Sequence, residues 1–164
     1  MKIRVVSQIW FRMHGWGETP APVYRYPESA FWRDNFFISI RHSTEPDPYC
    51  AIPADGPNIL KLRFDDAVAD PDDTLVLFDA EIAETIVRFV RGLDPDRMLF
   101  VNCGAGISRS GAVGEVLNDY FNKYLERNAR DDEYFRRMNP QIQGNPLVRK
   151  ILREALFDRG PSSV

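Results

Sequence analysis

Residues 98–101, Met98-Leu99-Phe100-Val101, are apolar without a break, and Asn102-Cys103-Gly104-Ala105-Gly106 follows at once. A strand with one wet face alternates apolar and polar residues. A short unbroken apolar run needs cover on both faces, as in a parallel sheet sandwiched between helices. The glycines then end the strand in a tight loop. Beyond them Val113, Val116, Leu117, Tyr120, Phe121 and Tyr124 recur at helical spacing. Strand, glycine loop and helix in that order predict an α/β fold: a mostly parallel central sheet with helices on both faces.

The other segments agree with that frame. Lys2 to Ser7 is a short β-branched strand, and Phe36 to Ile40 is a second. In 59–64 Leu60, Leu62 and Phe64 face one way and Lys61 and Arg63 the other. The four prolines Pro46, Pro48, Pro53 and Pro57 make 43–58 a loop, and 65–73 is an acidic loop. Residues 79–91 predict an amphipathic helix: Asp79 caps it, Arg88 and Arg91 sit near its end, and Gly92 stops it. A short helix is expected over 131–138. A last one starts at Asn145-Pro146, a cap followed by proline at the first helical position. Residues 10–30, rich in aromatics, Pro and Gly, read as loop, with a short helix near 28–33. Trp10, Phe11, Trp16, Tyr24, Tyr26, Phe31 and Trp32 read as core under that loop rather than as a substrate lip.

At 164 residues one domain spanning 1–164 is expected. Net charge is −3, from 21 Lys and Arg against 24 Asp and Glu, so no basic excess marks a nucleic-acid or anionic-membrane binder. No apolar run is long enough to span a bilayer. The start, Met1 to Trp16, lacks a clean apolar core and cleavage site, and reads as mature protein. Two cysteines, Cys50 and Cys103, do not make a disulfide framework, and a reducing cytoplasm is the expected compartment. Two histidines, His14 and His42, read as ordinary polar residues, and no Cys/His cluster calls for zinc.

The chemistry gathers at Cys103 to Ser110. A cysteine at the end of a strand, with a glycine loop wrapped over it and a helix beginning behind, sits where unpaired backbone N–H groups converge. Gly104 and Gly106 allow that cradle to close. A free thiol titrates near pH 8.5, roughly, and such surroundings lower it. The thiolate becomes a nucleophile at the floor of an oxyanion pocket made by Gly104, Ala105, Gly106, Ile107 and Ser108. Arg109 supplies a planar fork for two phosphoryl oxygens. Ser110 stands where it can hydrogen-bond the sulfur. Ser108 and Ser110 also fit as plain helix caps. The reaction that fits is thiolate attack on a phosphoryl group, a phosphocysteine, then hydrolysis. No metal or cofactor is implied, since thiolate, guanidinium and N–H groups supply the electrostatics.

Cys103-Gly-Ala-Gly-Ile-Ser-Arg-Ser110 resembles the phosphate-binding loop of the cysteine-dependent protein tyrosine and dual-specificity phosphatases, His-Cys-x-x-Gly-x-Ser-Arg-Ser. Cys103, Gly106, Ser108, Arg109 and Ser110 match it position by position. Element order over about 36–157 resembles the compact dual-specificity type, and the first 35 residues do not map onto it. The resemblance implies an upstream aspartate as general acid and then base. Arg63-Phe64-Asp65-Asp66 resembles the acid loops of some compact members and makes Asp66 that residue, with Asp65 second and Asp70, Asp72 and Asp73 still open. It further implies a phosphorylated protein or peptide as substrate, phosphotyrosine or dual, and affinity for phosphate-like oxyanions. The absence of lysine from Gly-Ala-Gly-Ile-Ser favours singly phosphorylated substrates over inositol phosphates. Some members protect the nucleophile in a disulfide with a second cysteine; Cys50 is read here as an unremarkable thiol.

The departure from the pattern is Asn102, where the family has histidine. Its amide can donate a hydrogen bond to the loop but cannot carry charge, so the loop should hold while the thiol pKa rises somewhat relative to the histidine form. Asn102 is also the feature that favours a weak or inactive phosphate-binding module. Sulfur transfer would not need Asp66 or Ser110, and arsenate reduction would need resolving cysteines beyond Cys50.

Overall fold

The computed structural model describes residues 1–14, 30–46, 52 and 55–158, with 12–14 and 158 in backbone only. Four strands, β1 (Ile3–Ser7), β2 (Phe36–Arg41), β3 (Ile59–Arg63) and β4 (Leu99–Cys103), form a wholly parallel sheet in the order β1-β4-β2-β3. β4 runs two residues beyond the apolar stretch that predicted it, so Asn102 and Cys103 are its last members. It lies inside the sheet, with Val5 beside Val101 on one side and Ile38 on the other. Leu99, Phe100 and Val101 are buried, as the unbroken run requires.

Side-chain alternation sorts the sheet into two faces. Ile3, Val5, Ile38, Ile40, Leu99, Val101 and Cys103 turn to one side. There they meet α3 (Ala80–Val90), α4 (Arg109–Asn118), α5 (Ala129–Met138) and α6 (Pro146–Arg153). Val6, Phe37 and Phe100 turn to the other and pack with Phe11 and Trp32 from α1 (Gln8–His14) and α2 (Ala30–Asp34). The expected helix-sheet-helix layering is therefore present, and among the described residues the second layer is aromatic. Phe37 stacks on Phe100 at 5.6 Å, and Phe11 on Trp32 at 5.9 Å. Trp10, Phe11, Phe31 and Trp32 thus serve as core. Trp16, Tyr24 and Tyr26 lie outside the described residues, as do Cys50 and residues 47–51, 53 and 54 of the proline-rich loop.

One expectation is corrected. Residues 8–14 form a helix, not the start of a loop. Ser7, the last residue of β1, accepts a hydrogen bond on its hydroxyl from the Trp10 N–H at 3.0 Å, the geometry of an N-cap. Trp10 and Phe11 then pack against the sheet. Aromatic residues have middling helix propensity, and tertiary burial overrides it here. The N-terminal segment is consequently part of the sheet and its cover, although the family pattern left it unplaced.

The remaining helices begin and end where their caps require. Asp79 accepts from Ile82 N–H at 2.8 Å, and Asn145 Oδ1 from Leu147 and Val148 N–H at 2.9 and 3.2 Å. α4 continues through wider π-type turns over Asp119–Leu125, and α6 through Glu154–Asp158. α4 lies hard against β1: a Cβ on Gly114 would stand 2.5 Å from Val5 Cγ2. That close approach sets the helix start directly behind the end of β4. No helix among the described residues is long and apolar enough to cross a membrane.

Candidate functional site

The site lies at the carboxyl end of the sheet, where β4 breaks into the loop 104–108 and α4 begins. Cys103, 2% exposed, ends the strand beside Ser7. Gly106 makes the turn possible. Its φ is +72°, and an added Cβ would lie 2.5 Å from the Val6 carbonyl carbon and 2.6 Å from Ser7 N. β1 is thus the surface on which the loop is moulded. The loop is pinned from outside by Gln8 N–H to Gly104 O (3.1 Å) and Gln141 Nε2 to Gly106 O (3.3 Å). Gln143 N–H to Ile107 O (3.2 Å) and Asn145 N–H to Ser108 O (3.1 Å) complete the set. With these carbonyls turned outward, N–H groups are left for the interior.

Those N–H groups act on the sulfur. Burial pushes the Cys103 thiol up. The Ser110 hydroxyl, donating to Sγ at 3.0 Å, and then the backbone N–H groups of Ser110, Ile107 and Gly106 outweigh that effect and hold the thiol below its ordinary value. A buried, apolar-packed cysteine would shift the other way. Arg109 begins α4 and reaches back over the loop. Its Nη1 donates to Phe64 O at 2.9 Å, and its Nη2 lies 3.8 Å from where a Gly104 Cβ would be. Its Nε is buried with no hydrogen-bond partner. A buried charged donor without a partner is costly, and an oxyanion seated over Sγ would satisfy it.

The two neighbouring aspartates have different places. Asp65, 2% exposed, is fully engaged. It accepts from Ser43 N–H (2.9 Å), Ser43 Oγ (2.6 Å) and Val76 N–H (2.8 Å), and pairs with His42 Nε2 at 3.0 Å. Burial would raise its pKa, but the Ser43 and Val76 hydrogen bonds and the His42 charge win and lower it. Asp66 is exposed and turned to the loop. Its Oδ1 accepts from Ser108 Oγ at 2.7 Å and Asn145 Nδ2 at 2.9 Å, and Oδ2 has no such bond among the described residues. Asp70 accepts from the N–H groups of Thr74 and Leu75 and closes its own turn, while Asp72 and Asp73 are exposed. Of the acidic loop, only Asp66 touches the residues of the Cys103 loop.

Ser108 occupies the N-cap position of α4 without making a side-chain cap bond, because its hydroxyl goes to Asp66. Asn102 is 1% exposed, and its Oδ1 is buried without a partner among the described residues. The strand turns the side chain at 102 to the face opposite Cys103. Asn145, Gln141, Gln8 and the Ser43–His42 pair went unrecognised from sequence as parts of this site. Asn145 alone left a signal, as a cap; the others act through contacts distant in the chain.

No protein-family model matches the chain, and no curated protein matches it. Among solved structures the chain is similar to the PTP-2 phosphatase of Cydia pomonella, at 13% identity over 74% of this chain and 71% of that one, TM-score 0.47. It is also similar to PTPMT1 in complex with PI(5)P, at 10% identity over 96% and 91%, TM-score 0.48. Tk-PTP in the active form shows 15% identity over 97% and 93%, TM-score 0.48.

Proposed function

We propose that the chain hydrolyses phosphomonoesters of phosphoprotein, phosphotyrosine or with dual specificity, through a phosphocysteine intermediate. The observation that carries this reading is the buried Cys103 sulfur, which accepts the Ser110 hydroxyl at 3.0 Å in the loop where Arg109 leaves its Nε unpartnered. Cys103 attacks phosphorus while the loop N–H groups of 104–108 and Arg109 hold the non-bridging oxygens. Arg109 Nε, unpartnered now, gains an oxygen. Asp66 gives its proton to the leaving oxygen, kept on station by Ser108 and Asn145. It then takes a proton from the water that attacks phosphocysteine. Cys103 departs as thiolate, and the Ser110 hydroxyl stabilises it.

Hydrolysis of para-nitrophenyl phosphate tests this, with and without chelator, by the wild type and by Cys103→Ser and Asp66→Ala. Turnover indifferent to chelator, gone in Cys103→Ser and reduced in Asp66→Ala, is expected. Phosphopeptides then sort tyrosine from serine and threonine. Asn102, with its unpartnered buried Oδ1, favours a second reading: a weak or inactive module that holds phosphate-bearing partners. Vanadate binding by folded protein without turnover of any phosphoester would decide for it.

A further inference from the structure

Two clefts flank α5, and their charges are handled in opposite ways. The larger, about 410 Å³, lies between α4, α5 and α6. Each of its four bases, Lys123, Arg136, Arg149 and Arg153, sits 2.5–2.7 Å from a carboxylate. It is neutralised from within. The smaller, about 210 Å³, is lined by Lys2, Arg130, Glu133, Tyr134 and Arg137, three bases to one acid. Among the described residues no carboxylate pairs with Lys2, Arg130 or Arg137. Glu133, one turn from both arginines, makes no ion pair with either. Lys2 Nζ instead rests over the Tyr134 ring, 5.7 Å from its centre. In a chain of net charge −3 this is a local excess of positive charge that no ion pair offsets among the described residues.

Spacing orders the cleft. Residues 130, 134 and 137 are four and three apart, so they share one face of α5. Lys2, whose carbonyl accepts from Leu99 N–H at 3.0 Å, faces that helix from the amino end of β1. Cys103 is at the other end of the same sheet, roughly 16 Å along β1 from Lys2 at strand rise. One bound phosphoryl group cannot span both.

We propose that this cleft is a second anion site, taking a multiply charged oxyanion of the phosphate type. Two guanidinium forks and an ammonium match tetrahedral oxygens that carry more than one negative charge, and the Tyr134 hydroxyl adds a donor. A single carboxylate would leave the cleft with surplus positive charge. The same chemistry is offered by free phosphates and by phospholipid headgroups. The site is independent of the chemistry at Cys103.

The test reads the two sites separately. Pyrophosphate is titrated into the full chain at constant ionic strength, with chloride as the control, and backbone amide resonances are followed by NMR. Saturable shifts at Arg130, Tyr134 and Arg137 are expected, weakened at least about tenfold in an Arg130→Gln/Arg137→Gln double variant. That variant should keep wild-type turnover of para-nitrophenyl phosphate. Shifts at Gly104 and Gly106 report the Cys103 loop, so failure there would count against the proposed function and leave this cleft standing. Sedimentation with phosphatidylcholine vesicles, with and without phosphatidylglycerol, is the second arm. Binding to the anionic vesicles alone, lost in the double variant, would support the site and name a headgroup as its ligand. The proposal is overturned if neither probe engages the cleft. It is equally overturned if engagement survives in the double variant, or if chloride produces the same shifts.

Discussion

Asp65 and Asp66 are adjacent in the chain and belong to two different regions. Asp65 stands in an anchor that fastens the acid loop to His42 and Ser43, and both of its carboxylate oxygens are used. Asp66 stands at the rim of the Cys103 loop, where bonds are left open: its own Oδ2, Arg109 Nε and the converging N–H groups. The anchor spends its hydrogen bonds on holding the fold together. The rim leaves some unmade, which is what a site needs in order to bind and react. Closed hydrogen bonding in one place makes tolerable the unsatisfied groups in the other.

Exchanging the roles of the two aspartates should have the largest effect. Asp66→Ala is expected to lower kcat by about 10²–10⁴-fold with an unchanged melting temperature, the range of a lost acid-base group. Asp65→Ala should do the reverse, costing about 3 kcal/mol of stability by stranding Ser43 and Val76 donors, with activity lost only as the protein unfolds. Denaturant titrations beside steady-state rates check both. If Asp65→Ala is stable and inactive, the assignment of the two residues is inverted.

Acid should distinguish the regions next. Asp65 has a folded pKa below its unfolded one. Its contribution is therefore complete above the unfolded value and disappears as pH falls through the folded value. Wild type should lose stability over that acid window more steeply than Asp65→Asn, as read by urea midpoints. Equal slopes would show that the anchor does not depend on charge.

Smaller effects belong to the thiol. Ser110→Ala removes the leading hydrogen bond to Sγ, so the pH profile of iodoacetamide alkylation at Cys103 should move upward and alkylation at neutral pH should slow about tenfold. An unmoved profile would transfer the effect to the loop N–H groups. Smallest is Asn102→His. A lower alkylation midpoint is expected, since an imidazole can carry the charge that the amide cannot. No shift, or a rise, would remove Asn102 as a determinant of the thiol and weaken the argument for an inactive module.

Much of this was legible in the chain itself because it depends on near neighbours. Four apolar residues, a cysteine and two glycines specify buried strand and tight loop; Asp79 and Asn145-Pro146 specify helix starts; Cys103, Arg109 and Ser110 share one turn of loop and helix. Each is a matter of sterics and hydrogen bonding over a few residues. Three things were decided only by the tertiary structure. Asp66 rather than Asp65 faces the loop because Asn145 and Ser108, 79 and 42 residues away, hold it there while Ser43 holds its neighbour. Residues 8–14 are helical because the sheet buries their aromatic face. The cations of the small cleft meet because the start of β1 and one face of α5 bring together residues with no local relation. Local chemistry determined what each segment would be; long-range packing determined which side chains it would meet.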